Sequence, residues 1–475
     1  MLKILIVKEF LEHVMGFRFL IISVLCLAMV VTGIYILRAD YLARLNDYEA
    51  NTVMFREDTS KELSYRHLQL AGTFVDTRPA ATQIPVYGLA KEHKTVHIGA
   101  LKLPRFQTAR SVNPIHIMFP VADLLFVVAT IMSLLAFAMS FDAVSGEREN
   151  GTLQLLMSYS VPRDLVILAK WIGGYMALTT PFILAALGGA VIIVSSSEIG
   201  FSVQDWLAYG LIVASSMLFM AVMFSIGILM SALFRESATA IAVLVFLWVT
   251  GVMISPNASP HLAELITPVK SSDAIENEVN ETVAIQGRAI RKNFYDKKDA
   301  FLSEYKKMKK SKAKTNEELK LFQDTYAQME IDLRLDFERI EKEVRNPHTK
   351  ALHHQVNVAR QVSRLSPVAS FVYVSTDLAA TGLQKHFDHL DAVRNYQETF
   401  REYVDDRIER RNKIWRETGE DPGYSIDNMP EFDYRPPSVR DRLLTNLVDM
   451  AALAIQAMIF FMASFLVFVR KDLLA

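Results

Sequence analysis

Apolar runs long enough to cross a bilayer alternate with polar stretches along the whole chain. A helix through a hydrocarbon core needs about 20 residues. Six runs suit that length: 16–38, 118–141, 171–195, 205–233, 238–254 and 446–469. Pro181 and the pair Gly188-Gly189 interrupt the third run, and Gly227 with Ser231 makes a small-xxx-small edge on the fourth. Between membrane helices such residues permit kinks and close backbone approach. Ser255-Pro256 reads as the end of the fifth run. The expected fold class is an all-α polytopic membrane protein with six transmembrane helices.

The polar stretches carry patterns of their own. In residues 1–15, Lys8, Glu9, Glu12 and His13 share one helical face, and Leu2, Leu5, Ile6, Phe10 and Val14 cover the other. This suits a helix in the membrane interface or an extension of the first span. Residues 39–117 begin helical and later show short β-like runs such as Thr95-Val96-His97-Ile98, so a small mixed insert is expected. Residues 255–442 read as a large, mainly helical domain. Leu319, Phe322, Tyr326, Met329, Leu333, Phe337, Ile340 and Val344 recur at spacings of 3, 4, 3, 4, 4, 3 and 4, close to a heptad seam. Thr315 and Glu318 form a capping box before that helix, and Asn346-Pro347 is its expected stop. An earlier helix carries Phe294, Phe301, Tyr305 and Met308 and turns at 311–314. The two make an antiparallel hairpin, or lie on a compact domain. Further helices are expected at 348–364 and 384–415, then an extended return at 418–437 with four prolines.

Charge orients this pattern. Lys3, Lys8, Arg18, Arg148, Arg163, Lys170, Arg235, Arg470 and Lys471 fall on one side of the spans, whereas the short turn 196–204 has no Lys or Arg. The positive-inside rule then puts both termini in the cytoplasm and the two large inserts outside. The lysine run 306–314 does not oppose this, because long domains translocate largely regardless of charge. Mean hydropathy of +0.20 alongside 22% charged residues fits a mosaic of spans and polar domains. Net charge is −1, which gives no electrostatic case for nucleic acid. The one cysteine, Cys26, excludes an intrachain disulfide or a thiolate metal cluster.

Residues 142–170 stand out from the spans around them. Glu147-Arg148-Glu149 is followed by a break at Asn150-Gly151, and Thr152 opens the apolar segment 153–157. Pro162-Arg163-Asp164 is a second helix start. The order Asp142-x-x-x-x-Glu147-Arg148-Glu149-x-Gly151-Thr152-Leu153, then Pro162-Arg163 and Lys170, resembles the first cytoplasmic loop of type-2 ABC exporter permeases. The likeness is greatest to the branch that includes the nitrous-oxide-reductase maturation and gliding-motility permeases. The stretch from Leu365-Ser366-Pro367 onward also resembles the outer domain attached to some permeases of that branch.

The resemblance implies a permease in the bacterial inner membrane. Its partners would be a pair of ABC ATPase subunits, a second permease copy or a paralogous permease, membrane lipid, and an extracytoplasmic protein. It implies no cofactor in this chain, with ATP and Mg on the ATPase. The sequence agrees: it contains no Gly-Lys pair and hence no standard P-loop. Coupling to the ATPase falls to Asp142, Glu147, Arg148, Glu149, Gly151, Thr152, Leu153 and Leu156, with the charged triplet making polar contacts and Leu153, Leu155 and Leu156 filling a groove. The alternative is a mechanotransmission or scaffold protein that acts on an extracytoplasmic partner without moving a substrate.

Other residues suggest chemistry more weakly. Asp123, near the end of the second span, is a candidate for gating or substrate contact, or else a structural cap or ion pair. Asp449 in the sixth span poses the same choice. Pro181, Gly188 and Gly189 are candidates for a substrate path. Met217, Met220 and Met223, and Met450, Met458 and Met462, recur at helical spacing, which suits packing better than Cu(I). His353-His354 and the pair His386 and His389 read as surface histidines. No metal site is expected.

Overall fold

Helices dominate the computed structural model, which describes residues 1–62, 64–88, 94–100, 102–108, 122–158, 161–310 and 316–470. Among the described residues, six helices are long and apolar enough to cross a membrane. We label them with their neighbours in chain order: α1 (Leu2–Val14) and α2 (Phe17–Ser60), α3 (Tyr65–Ala71) and α4 (124–140), which contains a π-helical turn at Val127–Met132. Then come α5 (Ser145–Glu149) and α6 (Thr152–Ser158), α7 (Arg163–Val194) and α8 (Val203–Leu233). Helix α9 (Ser237–Ile266) has a π turn at Val249–Ile254. The spans are α2, α4, α7, α8, α9 and the final helix, α15 (Leu447–Arg470). Span α8 is central, with 67% of its most apolar window buried, against 11% for α9 and 17% for α15.

Several boundaries differ from expectation. Helix α2 does not stop at residue 38 but runs unbroken to Ser60. The change from apolar to polar composition marks where the helix leaves the apolar layer, not where it ends. Beyond that point Tyr41 and Leu45 still pack inward. Likewise Ser255-Pro256 does not end α9. The wide π turn before Pro256 loosens the hydrogen-bond ladder where proline removes a donor, so the helix continues to Ile266.

The two large inserts fold together at one end of the bundle, here the domain end. Strands β1 (Thr73–Val75), β2 (Lys94–Gly99) and β3 (Lys102–Thr108) form an antiparallel sheet in that order. Phe74 pairs with His97, and Val96 with Phe106. Val75, Val96 and Ile98 pack on Val393, Tyr396, Phe400 and Val404 of α13 (Leu383–Thr418). Arg401 ties this layer down, donating to Ala100 O and to Glu338 Oε2 at 2.7 Å. The return segment closes the unit: Tyr65 Oη donates to Ser425 O, and Tyr424 Oη to Thr59 O, both at 2.6 Å.

Helices α10 (Ser272–Lys310) and α11 (Asn316–Ser363) form an antiparallel pair. Arg345 meets Glu276 at 2.6 Å, Arg291 lies over the Phe337 ring, and Lys298 lies over the Tyr326 ring. The predicted turn and capping threonine at 311–315 fall outside the described residues. Asn346-Pro347 does not stop α11. The helix continues through the proline, with partners on both sides of it: Arg345 on Glu276, and His348 on Lys270 O at 2.9 Å.

The continued α11 then enters the bundle. At its end, Ser366 Oγ donates to Gly251 O within the α9 π turn, and Gln456 of α15 donates to Arg364 O. Helix α12 (Pro367–Leu378) climbs back, and its Phe371 ring stacks on Phe219 of α8 at 4.9 Å. Phe219 lies about 21 Å along α8 from Leu233 at 1.5 Å per residue, within the thickness of a bilayer core. Residues 349–379 are therefore a re-entrant helical hairpin. The expectation that 255–442 lies wholly outside the spans is corrected at this point. Non-helical backbone at such depth survives because Gln456 and Ser366 satisfy its polar groups. A short helix, α14 (Val439–Thr445), leads from the return segment into α15.

Candidate functional site

The opposite end of the bundle, the loop end, gathers the residues of 141–170. Helix α4 finishes at Ser140, and Gly227 of α8 lets it approach; a Cβ there would lie 1.8 Å from Ser140 Oγ. One turn on, Ser231 Oγ accepts the backbone N–H groups of Val144 and Ser145 at 2.9 and 3.1 Å, so it caps the start of α5. The small-xxx-small edge of the fourth span is thus the seat of the loop. Helix α5 ends at Asn150, and Gly151 adopts φ +73°, a conformation that favours glycine. Helix α6 starts at Thr152 and sets Leu153 into the core, 1% exposed.

Glu147 and Arg148 turn inward, whereas Glu149 stays exposed. Glu147 Oε1 accepts from Lys170 Nζ at 2.7 Å, and Lys170 also reaches both oxygens of Glu9 at 3.3 Å. Lys170 is buried on α7 and therefore requires countercharge. Glu149 accepts Ser237 N at 2.7 Å and Ser237 Oγ at 3.0 Å, which caps α9. Arg148 donates to Phe234 O at 3.2 Å; its Nε and Nη2 are buried without a hydrogen-bond partner. Asp142 pairs with Arg18 at 2.7 Å. Within this chain, the charges that the sequence suggested for an interface fasten the loop to α1, α2, α7 and α9.

Helix α1 is part of the same assembly. Gly173 of α7 admits its backbone, since a Cβ would lie 2.8 Å from Glu9 Cβ and 3.0 Å from Ile6 O. Glu9 is consequently buried, and His13 lies half-buried near Gly174. The polar face divides: Glu9 and His13 face α7, whereas Lys8 and Glu12 stay exposed. Ile4, Val7, Leu11 and Met15 form the exposed stripe. The sequence signal for this was Lys170 itself, a cation on an otherwise apolar helix face.

Exposed on the loop are Glu149, Asn150, Gly151, Thr152, Gln154, Leu155, Ser158, Pro162 and Asp164, with Leu155 60% exposed. Leu156 is half-buried.

The sequence matches the family described as ABC-2 family transporter protein over residues 4–473. The chain belongs to that family. Two curated relatives are each named probable ABC transporter permease protein NosY. The one from Stutzerimonas stutzeri is 29% identical over 138 residues, covering 28% of this chain and 49% of the relative. The one from Pseudomonas aeruginosa is 28% identical over 129 residues, covering 27% of this chain and 46% of the relative. The chain thus spans about half the length of the curated relatives it matches.

In this ABC-2 chain the path candidates do not converge. Asp123 is 7% exposed and caps α4, accepting Phe126 N at 2.8 Å and Tyr87 N at 2.9 Å. Gly188 and Gly189 are filled by Val31 and Ile34 of α2, and Pro181 is buried within α7. Met220 and Met223 are packed in the core, whereas Met458 and Met462 are exposed. His353 and His386 both contact the Phe387 ring, and His389 contacts Thr77 Oγ1 at 2.7 Å.

For Asp449 the structure supplies the ion pair, with partners that the sequence did not point to. Asp449 is fully buried and takes Arg360 and Arg364, each at 2.6 Å. Arg360 also reaches Asn446 at 2.7 Å and Asp377 at 3.4 Å. Both arginines come from the re-entrant hairpin, about ninety residues away in sequence. Only their position in the fold reveals the pairing.

Proposed function

We propose that the chain is the membrane-spanning permease subunit of an ABC transporter, driven by a separate ATPase subunit that docks on 150–158. One observation carries this reading. The loop presents an exposed tip around Leu155, while its base is hydrogen-bonded into four helices through Glu147–Lys170–Glu9, Glu149–Ser237 and Ser231. A push on α6 would reach α1, α7, α8 and α9 together. Arg148, with two donors unpartnered, can exchange acceptors as the loop moves. The chain supplies no Gly-Lys pair, so ATP and Mg belong to the partner. Export is the direction implied by the sequence resemblance. The positive-inside distribution supports cytoplasmic placement of the loop end and both termini. The exposed apolar faces of α9 and α15 suit lipid or a second permease copy.

Asp449 favours a second reading alongside the first. Its double ion pair fixes the large domain to the sixth span, so movement of the spans would be delivered to that domain and any extracytoplasmic partner it holds.

The test is Leu155→Asp. A charge at the exposed tip leaves the buried contacts intact, so membrane insertion should be normal. Co-purification of the candidate ATPase should fall by about tenfold or more, as for loss of an apolar anchor worth about 1.5–3 kcal/mol. Undiminished co-purification would place the docking surface elsewhere.

A further inference from the structure

Span α9 is one continuous helix anchored to two different bodies. On the loop side of its π turn, Trp248 Nε1 donates to Ser133 Oγ of α4 at 2.8 Å, and Glu149 of the loop caps the start of the helix. On the domain side, the segment Ser255–Ile266 leads into Thr267 and Lys270. Their carbonyls accept Gln355 Nε2 and His348 Nε2 of α11 at 2.8 and 2.9 Å. The inner part of α9 thus belongs with the bundle and the loop, and the outer part with the large domain. The π turn Val249–Ile254 is the joint between them.

The joint has a gap in its hydrogen-bond ladder. In a π turn each N–H reaches the carbonyl five residues back. Ser255 N–H bonds to Thr250 O in this way. The next rung would run from residue 256 to Gly251 O, but residue 256 is proline and has no N–H. Gly251 O is therefore left without that helical donor. Ser366 Oγ supplies a donor at 2.9 Å from the tip of the re-entrant hairpin. Ser366 immediately precedes α12, yet its hydroxyl does not cap that helix. The hydroxyl is committed to the turn, and the residue is buried, which keeps water from replacing it. On its other side the same tip accepts Gln456 of α15 through Arg364 O at 3.2 Å. One hairpin tip therefore joins the weak point of the fifth span to the sixth.

We propose that Ser366 is a latch on a hinge at Val249–Ile254. With its hydroxyl on Gly251 O, the outer segment Ser255–Ile266 is held in line with the inner part of α9. With that bond released, the segment swings about the turn together with α11. Abrupt changes of helix direction arise at π turns and at prolines, and both coincide here. Ser366 acts through Gly251, so it is a positioning residue. This inference rests on the fold and does not depend on ATPase docking.

The test is amide hydrogen exchange read by mass spectrometry on the full chain in detergent. Ser366→Ala should speed exchange of residues 257–266 by about fivefold, as for loss of one net hydrogen bond, and leave 238–247 at its original rate. That unchanged segment shows that the variant is folded. Adding Pro256→Ala restores an N–H that can close on Gly251 O, so the double variant should return 257–266 to the slow rate. Equal rates in Ser366→Ala and the unaltered chain would overturn the proposal. So would faster exchange confined to 251–255, a uniform rise across all spans, or no rescue by Pro256→Ala.

Discussion

Asp449 shows how one side chain can join two parts of a membrane protein. It is fully buried in α15, and its oxygens are covered by guanidiniums from the re-entrant hairpin. Removing one partner of a buried pair costs about 3–5 kcal/mol, because the other charge is left uncompensated. Arg360 and Arg364 keep some solvent contact, at 18% and 24% exposure, so the low end, about 3 kcal/mol, applies here. Asp449→Ala should therefore lower the thermal unfolding midpoint of the purified chain. An unchanged midpoint would show that the pair contributes nothing. Asp123, chemically the same residue, is held by backbone N–H groups and acts as a helix cap. A carboxylate near a span end is thus functional or structural according to what surrounds it, which neither position reveals alone.

At the scale of elements, the loop between α4 and α7 is organised by Lys170. This buried cation lies between Glu9 of α1 and Glu147 of α5. Lys170→Met keeps the volume but leaves two carboxylates facing each other without a counterion. Amide hydrogen exchange over 5–14 and 144–149 should accelerate by about tenfold, which corresponds to about 1.4 kcal/mol of local stability. Exchange confined to its original rate would mean that Gly173 packing alone holds α1 in place. Proline behaves differently at this scale than expected. Pro256 and Pro347 both read as stops, yet both lie inside continuous helices. One follows a π turn and the other is braced by tertiary contacts on either side.

Across the whole molecule, the six spans divide the chain into a loop end and a domain end. We expect Gln154→Cys to be labelled by an impermeant maleimide only after the cells are opened, and Glu304→Cys in intact spheroplasts. Both sites are exposed, and Cys26 is buried and replaceable by alanine for this purpose. Labelling of both positions from outside would refute the orientation drawn from charge. Ser145, inside the loop, is unsuitable for such labelling because it is fully buried.

Hydrophobic patterning by itself determined the six spans and the helical class, because an apolar run of membrane length has few alternative folds. Composition also determined that the chain offers no standard P-loop. Charge pattern marked 142–170 as distinct, but not which of its groups face outward. That choice was tertiary: Glu147 turns in because Lys170 lies beside it, Glu149 stays exposed while capping the start of α9, and Leu155 is left outside. Tertiary structure also decided that residues 349–379 re-enter the bundle. Their helical segments are not apolar enough, or long enough, to announce a span. They are admitted because α8 supplies Phe219 for packing, while Gly251, Gln456 and Asp449 satisfy the polar groups. Periodicity records the surroundings each residue requires; which distant segment provides them is fixed only when the chain has folded.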